Sequence, residues 1–473
     1  MRRGRALVLV IAVLGIFGTA VAAATGAISW GYAIEVPGSA ALNTVGAAAT
    51  LSLSCPGAGT CEAGGSYRDA ETGDAEPFIV SEKNSEWGRA TRLPSVEALN
   101  IGGNAQVSSI SCGTAGNCAA AGYYKDGSAR FQAYVANETS GVWGNAIEVP
   151  GTAALNSGGN ARVLSVSCPS AGNCAAGGGY ADGSGQGQVF VVSETSGVWG
   201  NAIEVPGMAA LNAGGAAGIG GVSCASAGNC AAGGLYTDGS GHLQAFVVNE
   251  KSGVWGSAIE VPGTAALNVW GAARVTSVSC AGAGTCAAGG SYIDGSGRSH
   301  AFVASEKGGV WRKAIDVPGM ATLSTGGDAG VASVSCAPLG NCLAGGSYTD
   351  GSGHPQAFVA SEVNGVWHSA KQVPGTAALN TGNSAFVTAV SCAAGGSCAA
   401  GGVYLNSSGR QQAFVARENA GVWGAAREVP GTAALNVGNA WPYAVSCAKS
   451  GRCAVGGVYS DPANFHRPFV TAP

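Results

Sequence analysis

Residues 161–207 show the local pattern of the chain, with apolar and small polar side chains alternating in short runs cut by clusters of turn formers. Residues 161–168 (ARVLSVSC) form one such run, rich in Val and Ser, and 169–173 is a tight loop of turn residues. The pattern predicts a second strand over 174–180 and, after the turn Asp182, Gly183, Ser184, Gly185, a third over 188–194 (QVFVVSE). Thr195, Ser196 and Gly197 turn the chain into a fourth, 198–205 (VWGNAIEV), stopped by Pro206 and Gly207. Four short antiparallel strands in succession are the content of one propeller blade.

The same pattern returns along nearly the whole chain. Sixteen cysteines form eight pairs, each with five residues between partners: Cys55/Cys61, Cys112/Cys118, Cys168/Cys174, Cys224/Cys230, Cys280/Cys286, Cys336/Cys342, Cys392/Cys398 and Cys447/Cys453. The first member recurs every 55 to 57 residues, and a Trp keeps step at positions 30, 87, 143, 199, 255, 311, 367 and 423. Self-similarity at this period implies units that bury their apolar faces against their neighbours. The last copy, with Cys453 and Phe469, lacks its Trp strand, whereas residues 28–36 (ISWGYAIEV) are a fourth strand with no first three before it. Complementary partial units predict that the N-terminal strand completes the last blade, as ring closure requires. The expected fold is all-β: an eight-bladed β-propeller with four antiparallel strands per blade, spanning 25–473.

The N-terminus changes the picture of where this ring works. Arg2, Arg3 and Arg5 precede an uncharged apolar stretch from 6 to about 24 with small residues at its end, the order of a signal peptide or an uncleaved signal anchor over 1–24. An exported, monomeric protein is expected, secreted or held at the cell envelope. Charged residues are only 11% of the chain and glycine contributes 80 positions, which excludes a disordered acidic tail or a charged helical protein. Without the three N-terminal arginines 20 basic face 27 acidic residues, and this surface has no general attraction for nucleic acid.

Export, an even count and strict pairing favour a disulfide in every copy over metal or redox chemistry. Two cysteines with no neighbouring His are half a zinc site, and five intervening residues do not match a redox motif. Each disulfide is expected to clasp the hairpin between the first and second strands, a local effect of only about 2 kcal/mol for so short a loop.

The recurring VSC-x5-C-x-AGG-x-Y, Asp-Gly turn, AFV-x-x-E, G-V-W and Pro-Gly stop resemble a class of secreted bacterial propeller-repeat proteins of uncharacterised function, over about 28–470. The resemblance implies architecture and no activity. Glu194, Ser196, Gly197 and Trp199 look superficially like the docking motif of eight-bladed quinoprotein dehydrogenases, but the spacing is one residue short and no Cys-Cys dipeptide occurs. Asp238, Gly241 and Phe246 are similar to a sialidase Asp box whose spacing they do not keep.

Dispersed repeated residues point to the unit rather than to a reaction. His242, His300, His354, His466 and His368 share no ligand spacing and read as exposed turn residues. Glu138, Glu194, Glu250, Glu306, Glu362 and Glu418 each occupy one blade and are expected to satisfy backbone donors or face solvent. Asp126, Asp182, Asp238, Asp294 and Asp350 fit Asx turns, with too few oxygen ligands for a calcium loop. No metal and no cofactor are expected.

Function is better sought where the copies differ. Six residues before the first Cys of each pair stand Ala49, Gln106, Arg162, Gly218, Arg274, Gly330, Phe386 and Trp441, expected at the mouth of the central channel. Trp270 and Trp441 lie outside the repeated Trp slot, and Asp328 replaces a small or amide residue in the same loop. Arg162, Trp270, Arg274, Asp328, Phe386 and Trp441 are therefore the candidate ligand-binding residues, with chemistry suited to a glycan, a peptide or an envelope protein. This makes a non-enzymatic binding or adhesion scaffold the leading reading; an exported enzyme of the sialidase, lyase or quinoprotein kind is the alternative.

Overall fold

The computed structural model describes residues 1, 30–338, 340–393, 396–419 and 421–471, so the expected export segment, Met1 apart, lies outside the described residues. Eight four-stranded blades occupy 49–92, 106–148, 162–204, 217–260, 274–316, 329–372, 385–428 and 440–471, the last completed by Ala33–Glu35. In blade 3 the strands are Arg162–Ser170, Asn173–Ala181, Gly187–Thr195 and a fourth in two pieces, Val198–Trp199 and Ile203–Glu204. Among the described residues no helix is long and apolar enough to cross a membrane.

The closure expected from the complementary ends is present. Ala33, Ile34 and Glu35 pair antiparallel with Thr471, Val470 and Phe469, so the strand before the first blade becomes the fourth strand of blade 8. Trp30, 7% exposed, packs with Val415 of blade 7 and Phe469 of blade 8, the place its counterparts hold in the other interfaces.

The fourth strand departs from the uninterrupted run expected over 198–205. Glu194 pairs with Trp199 but Val191 with Ile203, a slip of one residue between the two halves. The cause lies in the neighbouring blade: the Ala202 N–H leaves its own sheet to donate to the Pro150 carbonyl at 2.7 Å. That bond recurs at all eight interfaces, from Ala90 to Pro37 round to Ala33 and Pro430, at 2.6–2.9 Å. It explains the Pro that ends each copy, because proline supplies the acceptor and stops the strand from running on. After it, Gly151 takes a left-handed φ of 83° and opens a single helical turn, Thr152–Leu155, that leads to the next blade.

A second ring of hydrogen bonds runs round the innermost strands. The backbone N–H of each pair's first cysteine donates to the hydroxyl of the serine that precedes the equivalent cysteine in the blade before, at 2.9–3.0 Å, from Cys112 to Ser54 through Cys447 to Ser391. The Cys55 N–H closes the circle on Ser446 at 2.9 Å.

All eight expected disulfides are formed, with Cα atoms 3.9–4.1 Å apart: Cys55–Cys61, Cys112–Cys118, Cys168–Cys174, Cys224–Cys230, Cys280–Cys286, Cys336–Cys342, Cys392–Cys398 and Cys447–Cys453. Each clasps the hairpin between the first and second strands, as expected, and its second cysteine also reaches the neighbouring blade. The second cysteines Cys174, Cys230, Cys286, Cys342 and Cys398, 5–7% exposed, are core residues. Each packs in the apolar cluster that its blade shares with the blade before, Cys174 with Val135 and Cys230 with Val191. Cys286, Cys342 and Cys398 repeat the contact with the clusters of Val247, Val303 and Val359. The physical reason is that the first cysteine of each pair is already docked on the preceding serine, which carries its partner into the same interface. Each disulfide thus clasps its inner hairpin at the residue that meets the neighbour.

Every innermost strand also carries a bulge, between Val163 and Ser165 in blade 3 and between Pro442 and Ala444 in blade 8. The bulge brings the strand's start over the second strand, where a β-carbon on Gly178 would sit 1.9 Å from the Arg162 carbonyl oxygen. The AGG of the repeat is the consequence.

The repeated glutamates are a correction. Glu138, Glu194, Glu250, Glu306, Glu362 and Glu418 do not face solvent but are buried between blades, and none accepts a backbone N–H among the described residues. Glu194 accepts from the Asn137 side-chain amide of the preceding blade at 2.5 Å, and Asn137 in turn accepts the Trp199 indole N–H at 2.9 Å. Ser193, Asn249 and Ser305 serve Glu250 and Trp255, Glu306 and Trp311, and Glu362 and Trp367 in the same way. A buried carboxylate is tolerable when such donors replace water.

Replacing Trp30 with Ala empties the closing interface and is expected to cost about 3–5 kcal/mol, comparable to other large core aromatics. Urea unfolding checks it; a loss below about 1 kcal/mol would mean that the N-terminal segment does not seal the ring.

Candidate ligand-binding face

The eight variable residues stand at the starts of the eight innermost strands, on the face formed by the loops between fourth and first strands and between second and third strands. The serine–cysteine ring and the bulge hold those strands at fixed spacing, so side chains there are positioned without being needed for packing. Phe386 and Trp441 are brought together from blades 7 and 8, their ring centroids 5.3 Å apart and their planes tilted by 57°. Tyr443 extends the shelf, 6.5 Å from Trp441 and inclined by 29°. Tyr443 is the bulge residue of blade 8 and is 42% exposed on a strand whose open side is the channel.

Polar groups fix the shelf. The Trp441 indole N–H donates to Gln411 Oε1 at 2.7 Å, and Asn439 Oδ1 accepts the Gln411 backbone N–H at 2.9 Å. Thr388 ties the strands together by donating its hydroxyl to the Pro442 carbonyl at 2.7 Å. A cavity of about 370 Å³ opens beside the shelf, lined by Ser66, Gln411, Asn439, Trp441, Tyr443 and His466. Two aromatic faces, two amides and an imidazole offer stacking and hydrogen bonding, and this lining carries no carboxylate.

The other candidates lie elsewhere on the ring. Arg162 is held in a cage, its guanidinium carbon 4.1 Å from the Phe131 ring centroid and 4.5 Å from that of Tyr123, with Nε donating to Asn160 Oδ1 at 3.2 Å. Trp270, 63% exposed, lies over the Asp294–Gly297 turn of its own blade, and Arg274 is exposed at the start of its strand. Asp328 accepts the Ser299 backbone N–H at 3.0 Å, a bond that Asn439 repeats with Gln411 in the last blade. The Asp turns are Asx turns as expected: Asp182 Oδ1 accepts the Ser184 and Gln186 backbone N–H groups at 2.8 and 3.0 Å. These bonds hold the Asp182 carboxyl below its ordinary range, the Gln188 amide leading the effect.

Carboxylates do converge on the opposite face, where the disulfide hairpins lie. Glu62, buried, stands in blade 1 where the other blades have Ala119, Ala175, Ala231, Ala287, Leu343, Ala399 and Ala454. Burial, and then the charge of Glu138, push the Glu62 carboxyl up from 4.5 to about 8, against the opposing pull of the Ser81 hydroxyl and Lys83. Burial likewise raises Glu82 to about 7, with Arg452 opposing.

No protein-family profile and no curated protein sequence matches the chain. Solved structures match it in fold. Sqt1 from Chaetomium thermophilum superposes with a TM-score of 0.51 at 11% identity, over 94% of this chain and 98% of that one. The same protein has been solved bound to the N-terminus of the ribosomal protein L10, with a TM-score of 0.49, 11% identity and 90% and 97% of the two chains covered. The β-propeller domain of the Trilobed protease from Pyrococcus furiosus gives 0.44 at 8% identity, over 81% and 97%. Trypanosoma rangeli sialidase gives 0.36 at 10%, over 90% of this chain and 55% of that one. At these identities the likeness is one of fold, a β-propeller.

The raised carboxyls carry a sign. A Glu62 that holds its proton to about pH 8 when folded, but releases it near 4.5 when unfolded, leaves the folded state bearing the extra proton between those values. Stability therefore falls as pH rises through that window, and the full cost is present above it. Glu62→Ala is expected to remove a part on the order of a few kcal/mol of the decline. Unfolding free energies from pH 5 to 8.5 measure it; parallel profiles for the two proteins would show that Glu62 does not titrate in this way.

Proposed function

We propose that the protein is an exported, non-enzymatic binding scaffold whose channel mouth takes a glycan. The observation that carries the reading is the aromatic shelf of Phe386, Trp441 and Tyr443, of which Trp441 and Tyr443 line a cavity that also presents the side-chain amides of Gln411 and Asn439. Sugar rings present C–H faces that stack on aromatics while their hydroxyls bond to amides, and this shelf offers both. Gln411 holds the Trp441 indole at a fixed tilt, so little ordering entropy is lost on binding.

Export is part of the proposal. Eight disulfides fit an oxidising compartment, and the basic, then apolar, order of residues 1–24 fits a secretion signal or anchor. Arg162, Trp270 and Arg274 then serve as separate contacts for a larger ligand, such as an envelope polysaccharide or protein, lying across the mouth.

Screening residues 25–473 on a glycan array, followed by calorimetry on any hit, tests the site. Trp441→Ala and Tyr443→Ala are each expected to weaken binding at least tenfold, about 1.4 kcal/mol, with unchanged thermal unfolding. Glycan binding indifferent to both substitutions would place the site elsewhere, and an array without hits would remove the glycan reading.

A further inference from the structure

The connection from blade 5 to blade 6 departs from the repeat at a point where the seven other copies place an asparagine directly after the helical turn. Asn268, in the connection from blade 4 to blade 5, shows what that residue does. Its amide donates to Gln244 Oε1 and to the Leu243 carbonyl, both at 2.9 Å, and its Oδ1 accepts the Ala272 N–H at 2.7 Å. Six of the seven asparagines accept the N–H four residues on in this way. Between blades 5 and 6 the residue is Ser324, whose hydroxyl donates instead to the Asp328 carbonyl at 3.0 Å. The Asp328 N–H, the counterpart of that of Ala272, has no hydrogen-bond partner among the described residues.

Three neighbours change with it. His300 stands where blade 4 has Gln244, and its Nε2 bonds Asp294 Oδ2 at 2.9 Å as the Gln244 amide bonds Asp238. A carboxylate only accepts, so Nε2 carries the proton, and in the neutral ring Nδ1 is left as an acceptor with no donor among the described residues. Asp316 replaces Glu260, and Met320 replaces Thr264, whose hydroxyl donates to Glu260 Oε1 at 3.1 Å. Asp316 therefore accepts the Tyr292 hydroxyl on Oδ1 at 2.5 Å and nothing on Oδ2 among the described residues. Positions 300, 316 and 324 meet at one point: in blade 6 their counterparts Gln372 and Asn380 both donate to Gln356 Oε1, at 3.1 and 3.2 Å. Tyr292 confirms the shared side, stacking on His300 with centroids 5.1 Å apart while it bonds Asp316. With Ser324 in place of asparagine, a cavity of about 440 Å³ opens there, lined by His300, Asp316, Pro318, Met320, Ser324 and Thr325 among others.

We propose that this cavity binds a 2-acetamido sugar, whose amide takes the place of the missing asparagine. The amide N–H donates to His300 Nδ1, the amide carbonyl accepts the Asp328 N–H, and a ring hydroxyl donates to Asp316 Oδ2. Pro318 and Met320 give the acetyl methyl an apolar wall. Each of these bonds satisfies a group that the repeat satisfies with its own side chains in other blades, so the ligand restores what the substitutions removed. A glutamine or asparagine side chain of a polypeptide carries the amide but leaves Asp316 Oδ2 without a donor, which favours the sugar. The inference rests on the reading of the protein as a glycan binder and is independent of the aromatic shelf.

Calorimetry on residues 25–473 with the methyl glycosides of N-acetylglucosamine and N-acetylgalactosamine tests the proposal. Methyl glucoside and methyl galactoside serve as controls without the amide, and N-acetylglutamine methylamide as a peptide with amides but no hydroxyls. Saturable binding of at least one acetamido sugar is expected, with its plain hexoside at least tenfold weaker. Ser324→Asn gives this connection the residue of the seven other copies, so it should fold with undiminished thermal stability while filling the place of the acetamido group and weakening the sugar at least tenfold. Trp441→Ala should leave that binding unchanged. Absence of saturable binding for both acetamido sugars up to about 20 mM, equal affinity for the plain hexosides, equal or tighter binding of the peptide, or affinity unchanged in Ser324→Asn would overturn the proposal. Glycan-array hits that depend on Trp441 but not on Ser324 would remove this site and leave the shelf standing.

Discussion

The hydrogen bond from each inner cysteine N–H to the serine hydroxyl of the blade before it sets the geometry on which everything else rests. One such bond contributes about 1 kcal/mol. Its importance is positional: it occurs at the same residue in all eight blades, and that residue also carries the disulfide. The hairpin is thus clasped covalently at the point where it docks on its neighbour, and the angular step between blades repeats. The alanine-to-proline bonds fix the same step at the periphery. Two concentric rings of identical bonds leave little freedom for one blade to tilt.

A scaffold held this way can vary residues that belong to neither ring. The residue six before the first cysteine and the bulge residue two further on both lie outside the buried apolar clusters that neighbouring blades share. In blade 3 they are Arg162 and Leu164; in blade 8, Trp441 and Tyr443. The same two positions therefore give a caged guanidinium on one side of the mouth and an aromatic shelf on the other, with no change in the strand that carries them. The disulfide face has its own departure in Glu62, at a position that otherwise holds a small apolar side chain.

Eight blades, the closing strand and the disulfides were legible because each rests on spacing along the chain: the cysteine period, and the orphan Trp30 that fits the place left open beside Phe469. That Cys174 or Cys398 would also pack against the blade before was not, because spacing gives a partner along the chain and says nothing of a neighbour across it. The break in the fourth strand was hidden too, since nothing in VWGNAIEV says that the Ala202 N–H will turn to Pro150 of another blade. The glutamates misled for the same reason. Glu194 looks like a surface residue until the amide of Asn137, contributed by the preceding blade, is brought against it. Tyr443 was passed over because a bulge shifts which residues share a face, and counting back from the cysteine finds Trp441 alone. Glu62 did have a signal, being the lone acid among alanines and a leucine, but a charge in a second strand acquires meaning only beside Ser81 and Glu138.

The cost of Glu62 also explains why such a residue can persist in so regular a ring. A carboxyl buried beside another is tolerated when it keeps a proton or meets a cation, and either state leaves the backbone rings untouched. Ser54 still accepts the Cys112 N–H and Pro37 the Ala90 N–H in that part of the circle. The penalty therefore stays with a few side chains of one interface instead of spreading round the fold. A symmetric scaffold can carry an asymmetric charge cluster on these terms, because what holds the blades in place and what distinguishes one blade from another reside in different atoms.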